Sequence, residues 1–378
     1  MRVSVLQENL AKGLAVVTKA IAARPTLPIL NNVLLSAEDG RLKVAATNLE
    51  LGIVMRVGAK VDQDGAITVP ARTLQDLVNT LPPERVDLVL DAKTNTLKIT
   101  CGATSANLKG MSAADYPPVP EADAETGLAI PAEAFDEMIG HTVFAAAKED
   151  NRPILTGLSA KFSEDTLRLA AADGYRLAIR DTRLDTPVEE PLALVIPART
   201  LAEVMRVIGN DDTMVYISIA PGRSQIMFHL NQVDINSQLI DGTFPPIEQI
   251  IPKSHKTTTI LHTQEFLRAC KRAEIFARDV NGTTRVKITP GESSLVPGTV
   301  SISAQSQERG DNEGRIDATV SGPGIEVAFN VRYLIDVLSV IKEEQVVLET
   351  NEANSPVVLR PVNRDDFTHV IMPMSVNR

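Results

Sequence analysis

The sequence predicts an α+β protein built from three copies of one domain. Three observations support this prediction: a short motif repeats at near-equal intervals, a second helical stretch precedes each copy, and the rest alternates apolar with polar residues. The chain has 378 residues, of which 44% are apolar. Its length suits two to four domains of roughly 100 to 200 residues each, and its apolar fraction excludes wholesale disorder.

The repeated motif reads Val-Pro-Ala-Arg-Thr-Leu, Ile-Pro-Ala-Arg-Thr-Leu and Phe-Asn-Val-Arg-Tyr-Leu. Its arginines are Arg72, Arg199 and Arg332, so the copies lie 127 and 133 residues apart. Each copy starts on a strand-like apolar residue and continues with apolar residues at helical spacing, which predicts a short amphipathic helix. Three repeats of this size account for the entire chain.

A longer helix is predicted before the motif in each copy. Apolar residues recur at helical spacing over residues 6–22, 131–147 and 262–277. The intervening segments, such as residues 32–46, alternate apolar and polar residues between turn signals, which is typical of half-buried antiparallel strands. Each domain is therefore expected to lay two helices on one face of antiparallel sheet.

Two proline-rich stretches, residues 116–121 and 244–252, fall where the repeat boundaries are expected. Such stretches are typical of semi-rigid linkers, although part of the second is too apolar to be only a linker. The predicted domains are residues 1–122, 123–250 and 251–378.

The two cysteines, Cys101 and Cys270, are too few and too far apart for a disulfide framework. This indicates a reducing compartment and two buried thiols. No signal peptide or membrane-spanning stretch is recognised, so a cytoplasmic protein without membrane partners is expected. Asn281-Gly282 is interpreted as a hairpin turn.

No catalytic or cofactor-binding pattern emerges from the sequence. The five histidines are scattered, and phosphate-binding, dinucleotide-binding and nucleophile motifs are absent. The adjacent carboxylates Asp211-Asp212 and Asp365-Asp366 sit in polar, turn-like contexts that suit solvated surface charge. Triplication of a whole domain without such sites favours a binding role over an enzyme, with no metal and no cofactor.

Charge is segregated along the chain. The net charge is -10, yet six windows that contain the predicted helices sum to +4, which leaves -14 for the remainder. The windows are residues 6–24, 70–81, 131–148, 197–208, 262–278 and 329–342. On the third long helix, Arg268, Lys271 and Arg272 share one face. For a single helix a solvated face is the simplest account, whereas recurrence across repeats favours a shared basic surface. The acidic long helix of the middle repeat counts against that surface.

Five short segments of the sequence resemble segments of one protein family. They are Arg24-Pro-Thr-Leu-Pro-Ile-Leu30, Val69-Pro-Ala-Arg72, Asp173-Gly-Tyr-Arg-Leu-Ala178, Asp241-Gly-Thr-Phe-Pro245 and Val370-Ile-Met-Pro-Met374. In order and spacing, over the full length, they resemble the bacterial DNA polymerase III beta subunit family, the sliding clamps. The resemblance implies a head-to-tail homodimeric ring around double-stranded DNA, with helices lining the hole and no catalytic residue.

Within that resemblance, cations on the helices and one turn are the candidates for facing DNA. These are Arg24, Arg72, Arg199, Arg206, Arg268, Lys271 and Arg272, with Lys12 and Lys148 as secondary candidates. Sequence-independent phosphate contacts would allow sliding. Glu149 and Asp150 stand where the family often has a neutral polar residue, which puts a DNA contact from this loop in doubt.

The resemblance also implies a hydrophobic pocket for short peptides of the replicative polymerase, the clamp loader and other clamp-binding proteins. Its matching positions are Leu155, Gly174, Tyr175, Leu177, Pro245, Ile250, Val370 and Met372. The rim candidates are Arg152, Arg176, Asn330, Tyr333, Ser355, Pro373 and Met374. Taken singly, each is equally a turn or core residue. Ala172 replaces a common threonine, and residues 375–378 extend the usual ending.

For contact between protomers, the family geometry pairs Ile275 and Phe276 with Leu108 and Thr73. Core packing is the alternative account of Phe276. Two other functions stay open on the sequence: a peptide-binding scaffold that does not encircle DNA, and an enzyme with an unrecognised site.

Overall fold

The computed structural model describes residues 1–22, 24, 26–121, 127–149, 151–209, 213–292 and 296–375. The first predicted domain boundary, Asp150, Asp211-Asp212 and the last three residues of the tail lie outside this described part. The chain divides into two compact units, each described by itself below. Unit 1 comprises Met1–Phe135 and Arg199–Leu239, and unit 2 comprises Asp136–Ala198 and Ile240–Arg378.

Six α-helices occur in the described residues, one for each predicted helical stretch. They are α1 (Gln7–Val17), α2 (Ala71–Thr80), α3 (Ala132–Thr142), α4 (Ala198–Val207), α5 (Thr263–Ala277) and α6 (Val331–Val340).

The strands are numbered in chain order. Those of the first third are β1 (Arg2–Leu6), β2 (Asn32–Glu38), β3 (Arg41–Thr47), β4 (Leu51–Gln63), β5 (Gly65–Pro70), β6 (Arg85–Asp91), β7 (Thr96–Cys101), β8 (Thr104–Lys109) and β9 (Met111–Ser112). The middle third contains β10 (Leu128–Pro131), β11 (Gly157–Ser163), β12 (Thr166–Ala172), β13 (Arg176–Arg183), β14 (Leu192–Pro197), β15 (Met214–Ile219), β16 (Gln225–Leu230) and β17 (Val233–Gln238). The last third contains β18 (Thr257–His262), β19 (Thr283–Thr289), β20 (Gly298–Ser306), β21 (Gly310–Ser321), β22 (Ile325–Asn330), β23 (Gln345–Thr350), β24 (Val357–Pro361) and β25 (Phe367–Ile371).

The element order confirms the three repeats. Each third of the chain runs strand, helix, four strands, helix and three strands, with β9 as an addition to the first third. The short helices α2, α4 and α6 follow their strands directly, as the repeated motif predicts. The fold is therefore three α+β domains, each with two helices and antiparallel sheet.

Strands of neighbouring repeats share sheets. In unit 1, thirteen strands join through the path β10-β15-β16-β17-β4-β1-β6-β7-β8, with β3 beside β4, β2 beside β3, and β5 and β9 beyond. In unit 2, twelve strands follow the order β14-β11-β12-β13-β25-β24-β23-β18-β21-β20-β19-β22. The middle repeat thus gives one group of strands to each unit, because β17 pairs with β4 and β25 pairs with β13.

The first two long helices are shorter than their apolar spacing predicts. After Val17 and after Thr142 the chain tightens into a 3-10 turn. The cause is local: β-branched residues crowd these ends, and the Thr142 hydroxyl donates to the Met138 carbonyl at 2.7 Å. The α5 segment is helical from Thr263 to Ala277, close to the predicted length, and is then also followed by a 3-10 turn, Arg278–Val280.

The interpretation of Asn281-Gly282 as a hairpin turn is wrong. Both residues have positive φ, 57° and 73°, and the Gly282 amide donates to the Ala277 carbonyl at 2.9 Å. The pair therefore ends the α5 segment in the left-handed conformation that glycine and asparagine tolerate. Cys101 and Cys270 are both free and buried, as predicted.

Candidate peptide groove and basic surfaces

The turn between β12 and β13 places Tyr175 at the surface of unit 2. The Asp173 carboxylate accepts hydrogen bonds from the amides of Tyr175 and Arg176 at 2.9 and 3.0 Å. Gly174 has a φ of +92°, a conformation that side chains disfavour. The turn therefore leaves Tyr175 65% exposed.

An apolar cluster lies next to this turn. Leu177 of β13 stands opposite Val370 of β25, and each is 1% exposed. Around them pack the other members of what we call the β13–β25 cluster: Ala170, Ala172, Ile179, Ile247 and Val358, with Phe244 and Ile251 half-buried against it. The structure thus brings three distant segments together, which sequence matching alone could only imply.

The last described residues run past the same turn. The Met372 amide donates to the Tyr175 carbonyl at 2.8 Å, which fixes the chain beside the exposed ring. Met372, Pro373 and Met374 are half-buried. The Met374 amide donates to the Ala328 carbonyl at 2.8 Å, so this segment is tied at both ends.

Arg176, expected at an accessible rim, is only 7% exposed. Its guanidinium donates to Asp173 at 3.0 Å, to Asp336 of α6 at 2.6 Å and to the Phe144 carbonyl at 2.6 Å. It also lies 4.5 Å from the centre of the Tyr333 ring. Since all these partners compensate a buried charge, the residue holds the turn and α6 in place rather than standing free in solvent.

The remaining predicted pocket residues differ in exposure. Arg152 and Pro245 are exposed, and the Arg152 guanidinium approaches Gly174. Leu155 is 5% exposed in a 3-10 turn, and Asn330 caps α6 by accepting from the Arg332 amide at 3.1 Å. Ile250 and Ser355 line one shallow depression of about 430 Å³ that also includes residues such as Pro252, Lys256, Glu352 and Pro356. The sequence analysis did not select Phe244 and Ile247, nor the charged residues Lys256 and Glu352 that line this depression.

A larger depression, of about 710 Å³, lies on β1, β4 and β6 and contains none of the predicted site residues. Four of its charged side chains pair with each other, Lys60 with Asp62 at 3.2 Å and Arg85 with Asp87 at 3.1 Å, and Arg2 also lines it.

In unit 1 the predicted cations are all exposed: Arg24, Arg72, Arg199 and Arg206, together with Lys12. Arg199 donates to the Lys19 carbonyl at 3.0 Å, which ties the start of α4 to the turn after α1. Arg206 pairs with Glu203 at 2.5 Å but stays 60% exposed.

In unit 2 the predicted cations lie on the free face of α5. Arg268, Lys271 and Arg272 are exposed, while Phe266 and Ala273 are buried on the opposite face. Arg268 and Arg272 also share a depression of about 370 Å³ with Arg315 of β21, a cation that the sequence analysis did not single out. Lys148 and Glu149 are exposed.

The acidic helix of the middle repeat is less repulsive than its composition suggests. The Glu137 carboxylate of α3 forms ion pairs with Arg180 at 3.0 Å and with Arg364 at 2.9 Å. Although partial burial opposes its ionisation, hydrogen bonds from Arg364 and Arg180 lower the pKa of Glu137 to about 2. The carboxylate is therefore ionised and paired with two arginines.

The four residues predicted to contact a second protomer are all at least partly exposed. Thr73 is exposed on α2, Leu108 is half-buried on β8, and Ile275 is 48% exposed on α5, whereas Phe276 is half-buried. β8 ends the unit 1 sheet path, so one of its edges is unpaired in the described part of the chain.

Within the described residues, no group of three or more histidine, cysteine or acidic side chains is arranged to hold a metal ion. Over the same part of the chain, no helix is both long and apolar enough to cross a membrane.

Comparison with known proteins gives one consistent result. Family models for the DNA polymerase III beta subunit match its N-terminal domain at residues 1–120, its central domain at 129–246 and its C-terminal domain at 248–375. The curated beta sliding clamp of Synechococcus elongatus is 31% identical, with 100% of both chains covered. The crystal structure of a DNA polymerase sliding clamp from Bacillus subtilis superposes with a TM-score of 0.93 at 28% identity, covering 100% of both chains. A sliding clamp from Pseudomonas aeruginosa bound to griselimycin gives 0.90 at 30% identity and the same coverage.

Proposed function

We infer that this chain, which belongs to the DNA polymerase III beta subunit family, is a sliding clamp: it encircles duplex DNA and tethers the replicative polymerase and other clamp-binding proteins. The observation that carries this inference is the full-length likeness to curated sliding clamps, which extends over all three domains. We assign the domains to residues 1–122, 123–250 and 251–378, supported by the threefold element order. A clamp retains DNA by topology, so it needs no catalytic residue and no cofactor.

Two open strand edges support assembly as a head-to-tail homodimer. In unit 1, β17 pairs with Leu51–Met55 of β4, and in unit 2, β25 pairs with residues 176–180 of β13. The strands at the same places in the remaining repeats are β8 and β21. Among the described residues, β8 has no second partner strand, and β18 pairs with only the last three residues of β21. We propose that β8 of one copy pairs with β21 of another, so that two such ladders close the ring.

The residues around these edges suit such a contact. β8 carries Leu108 and Lys109, while β21 carries Asp311 and Glu313, all but Leu108 exposed. Ile275 and Phe276 belong to α5, which packs on β20 and β21. Together with Thr73 these residues provide apolar contact flanked by opposite charges. Light scattering after size exclusion should give about twice the 40.8 kDa of one chain.

For DNA we propose a lining of exposed cations. Arg24, Arg72, Arg199 and Arg206 contribute from unit 1, and Arg268, Lys271 and Arg272 from unit 2, with Lys12 and Lys148 in secondary places. Exposed cations contact phosphates without reading bases, and such contacts weaken with salt. A cytoplasmic location follows from this role in replication.

The β13–β25 cluster is the proposed docking site for an extended peptide. Tyr175, Ile250 and Met372 present accessible apolar surface beside the buried Leu177 and Val370. The other proposed contributors are Arg152, Leu155, Gly174, Arg176, Pro245, Asn330, Tyr333, Ser355, Pro373 and Met374. An apolar surface rimmed by polar groups suits the anchor side chains of a short motif.

Topology tests the encirclement of DNA. After loading by a clamp loader, the protein should stay on nicked circular DNA and run off once the circle is cut. Equal retention on circular and linear DNA would contradict the clamp function and favour a scaffold that does not encircle DNA.

A paired truncation tests the peptide site. Leu177→Ala with Met372→Ala should weaken binding of a synthetic Gln-Leu-type clamp-binding peptide at least about 100-fold, because anchor residues dominate such interfaces. Isothermal titration measures the affinity, and light scattering checks that the dimer is intact. Unchanged affinity would remove these residues from the site.

A further inference from the structure

Strands of different repeats meet at three junctions that occupy equivalent places in the repeats. Two junctions are internal: β4 pairs with β17 in unit 1, and β13 pairs with β25 in unit 2. The third is the proposed contact of β21 with β8 of another copy. We call the side chains that face the long helix along one such ladder its seam. Because side chains alternate along a strand, a seam contains every second residue.

The strands beside β4, β13 and β21 fix which of their residues are equivalent. β3, β12 and β20 each carry two large aliphatic residues and an alanine at alternate positions, all of them buried. These residues are Leu42, Val44 and Ala46; Leu167, Leu169 and Ala171; and Val300, Ile302 and Ala304. The residues opposite the second and third members of each set are Met55 and Ile53, Arg180 and Ala178, and Gly314 and Asn312.

The seam of unit 1 is aliphatic. Met55 and Ile53 of β4 stand opposite Val233 and Ile235 of β17. All four side chains are at most 7% exposed, and α1 packs on β4. This seam is therefore held by apolar burial and needs no charge.

The seam of unit 2 is ionic. Arg180 of β13 stands opposite Phe367 of β25 and is 5% exposed. Its guanidinium pairs with Glu137 of α3, at 3.0 Å, and with Asp366, which precedes Phe367 in the chain. Arg364 also pairs with Glu137, at 2.9 Å. Since a buried charge that loses its partner is strongly destabilising, Arg180 requires a partner strand that brings a carboxylate.

The seam of β21 consists of small residues and is open. Asn312 and Gly314 are only half-buried. Gly314 does not have the positive φ that favours glycine. A Cβ at this position would meet nothing closer than the Arg272 guanidinium of α5, at 3.7 Å. Neither the backbone nor the packing of a single chain explains a glycine inside this strand, where glycine is normally disfavoured.

The register of β8 relative to β25 follows from the residues after each strand. Met111 stands opposite Thr68 of β5, and the Met374 amide donates to the Ala328 carbonyl of β22. Thr68 and Ala328 each lie three residues before the start of a short helix, so Met111 and Met374 are equivalent.

Counting back from these methionines gives the seam of β8. Ala106 holds the place of His369, and Thr104 holds the place of Phe367. Ala106 is half-buried and Thr104 is exposed, so this seam is small and open as well.

We propose that the three seams form a pairing code, in which aliphatic residues, a buried ion network and small residues each accept only their own counterpart. At the contact between two copies, Gly314 lies opposite Thr104, and Asn312 lies opposite Ala106. The inference rests on the proposed pairing of β8 with β21, and it adds the residues that decide which strand edges pair.

Wrong pairings between copies are available because each chain carries three strand edges of each kind. β13 placed against β8 would bury Arg180 opposite Thr104 without the Asp366 carboxylate. β17 placed against β21 would set Val233 opposite Gly314 and leave a void where Met55 belongs. The code therefore disfavours swapped and open-ended assemblies.

Transferring one residue of the ionic seam to the contact between copies tests the code. Gly314→Arg should raise the dissociation constant of the dimer at least about 100-fold, because the introduced guanidinium faces Arg272 and no carboxylate. Sedimentation equilibrium measures the constant, and circular dichroism checks folding. Gly58→Arg, at an exposed position of β4 where a Cβ meets nothing within 4 Å, is the matched control. A Gly314→Arg dimer as tight as the control would overturn the proposal.

Supplying the missing carboxylate should restore pairing. Ala103→Asp places an acid before Thr104, as Asp366 precedes Phe367. A Gly314→Arg chain should therefore pair with an Ala103→Asp chain, with a dissociation constant within about tenfold of the unmodified dimer. One contact of the mixed dimer contains both substitutions, and the other contains neither. Failure of the two chains to associate would contradict the code.

A cross-linking test does not depend on the Gly314 variant. A chain with Asn312→Cys and Ala106→Cys should form covalent dimers on oxidation, because opposite residues of a ladder lie within reach of a disulfide. A chain with Asn312→Cys and Asn107→Cys, one residue out of register and on the other face, is the control. The native cysteines are buried. Equal cross-linking of the two chains, or none in the first, would overturn the proposal.

These results separate the two levels of inference. If the unmodified chain stays at 40.8 kDa in light scattering, the proposed head-to-tail dimer fails. If the unmodified chain dimerises and Gly314→Arg dimerises equally well, only the pairing code fails.

Discussion

Helices α3 and α5 hold the same place in their repeats but use their charges differently. Each follows a strand and precedes a 3-10 turn. The α5 cations Arg268, Lys271 and Arg272 point to solvent, whereas Glu137 of α3 is held by two arginines. The free face of α5 thus carries available charge, and that of α3 carries less than its sequence suggests.

The difference shows what a charge count by segment leaves out. The arginines that neutralise Glu137 come from β13 and from the turn before β25, so no helical window includes them. Arg364 also binds Glu343 at 2.6 Å and Asp366 at 3.0 Å. Since Arg180 and Arg364 together serve three carboxylates, Glu137, Glu343 and Asp366, the acidic helix of the middle repeat still counts against a basic lining, though less than its sequence suggests.

The largest expected effect comes from reversing the α5 charges. Replacing Arg268, Lys271 and Arg272 by Glu should reduce loader-dependent retention on nicked circular DNA at least about 100-fold. It should also flatten the salt dependence of DNA binding by about 2.7 in the log–log slope, or about 0.9 for each lost phosphate contact.

The matched control reverses three exposed strand cations, Lys60, Arg85 and Lys287, which leaves the net charge change the same. This control should retain near-normal DNA contact. If both triple variants lose DNA equally, net charge rather than the α5 face determines binding, and these residues leave the proposed lining.

A smaller effect, on the free energy of unfolding, is expected from removing the Glu137 charge on α3. Glu137→Gln should lower the free energy of unfolding of its cooperative region by about 2 kcal/mol, because Arg180, whose side chain is 6% exposed, loses one of its two ionic partners and keeps only Asp366. Glu133→Gln on the exposed side of the same helix should change it by less than about 0.5 kcal/mol. Urea titration followed by circular dichroism compares the two, and equal losses would contradict the network's role.

The smallest effect is the pH dependence of that loss. The folded-state pKa of Glu137 is about 2, below its usual 4.5, so its stabilising effect is present above pH 4.5. It declines as pH falls toward 2. The difference in melting midpoint between the unmodified chain and Glu137→Gln should therefore shrink from pH 7 to pH 3. A constant difference would show that the carboxylate is not ionised in this way.

Much of the fold followed from local patterns. Six helices, the threefold repeat and the antiparallel strands are confirmed because apolar spacing and turn residues act over a few positions. Two details that the sequence analysis missed depend on local hydrogen bonds. The Thr142 hydroxyl donates to the Met138 carbonyl near the end of α3, and the Gly282 amide donates to the Ala277 carbonyl, so that Asn281-Gly282 ends the α5 segment instead of forming a hairpin turn.

The candidate site could be predicted from the sequence less completely than the fold. Resemblance selected Leu177 and Val370, and the structure places them in one cluster. The same reasoning put Arg176 on a rim, whereas Asp336, Phe144 and Tyr333 enclose it. Burial of a polar residue depends on partners far along the chain, which no local pattern reports.

The sequence by itself determined the repeated architecture and the family, because repeats, helical spacing and a full-length set of motifs are properties of the chain's order. Only the tertiary structure decided which side chains face each other across the sheets. Gly52 of β4 faces Asn236 of β17, and Leu177 of β13 faces Val370 of β25, through strand pairing between distant segments. Long-range register sets which side chains share a volume, and shared volume decides whether a surface is filled or left open for a partner.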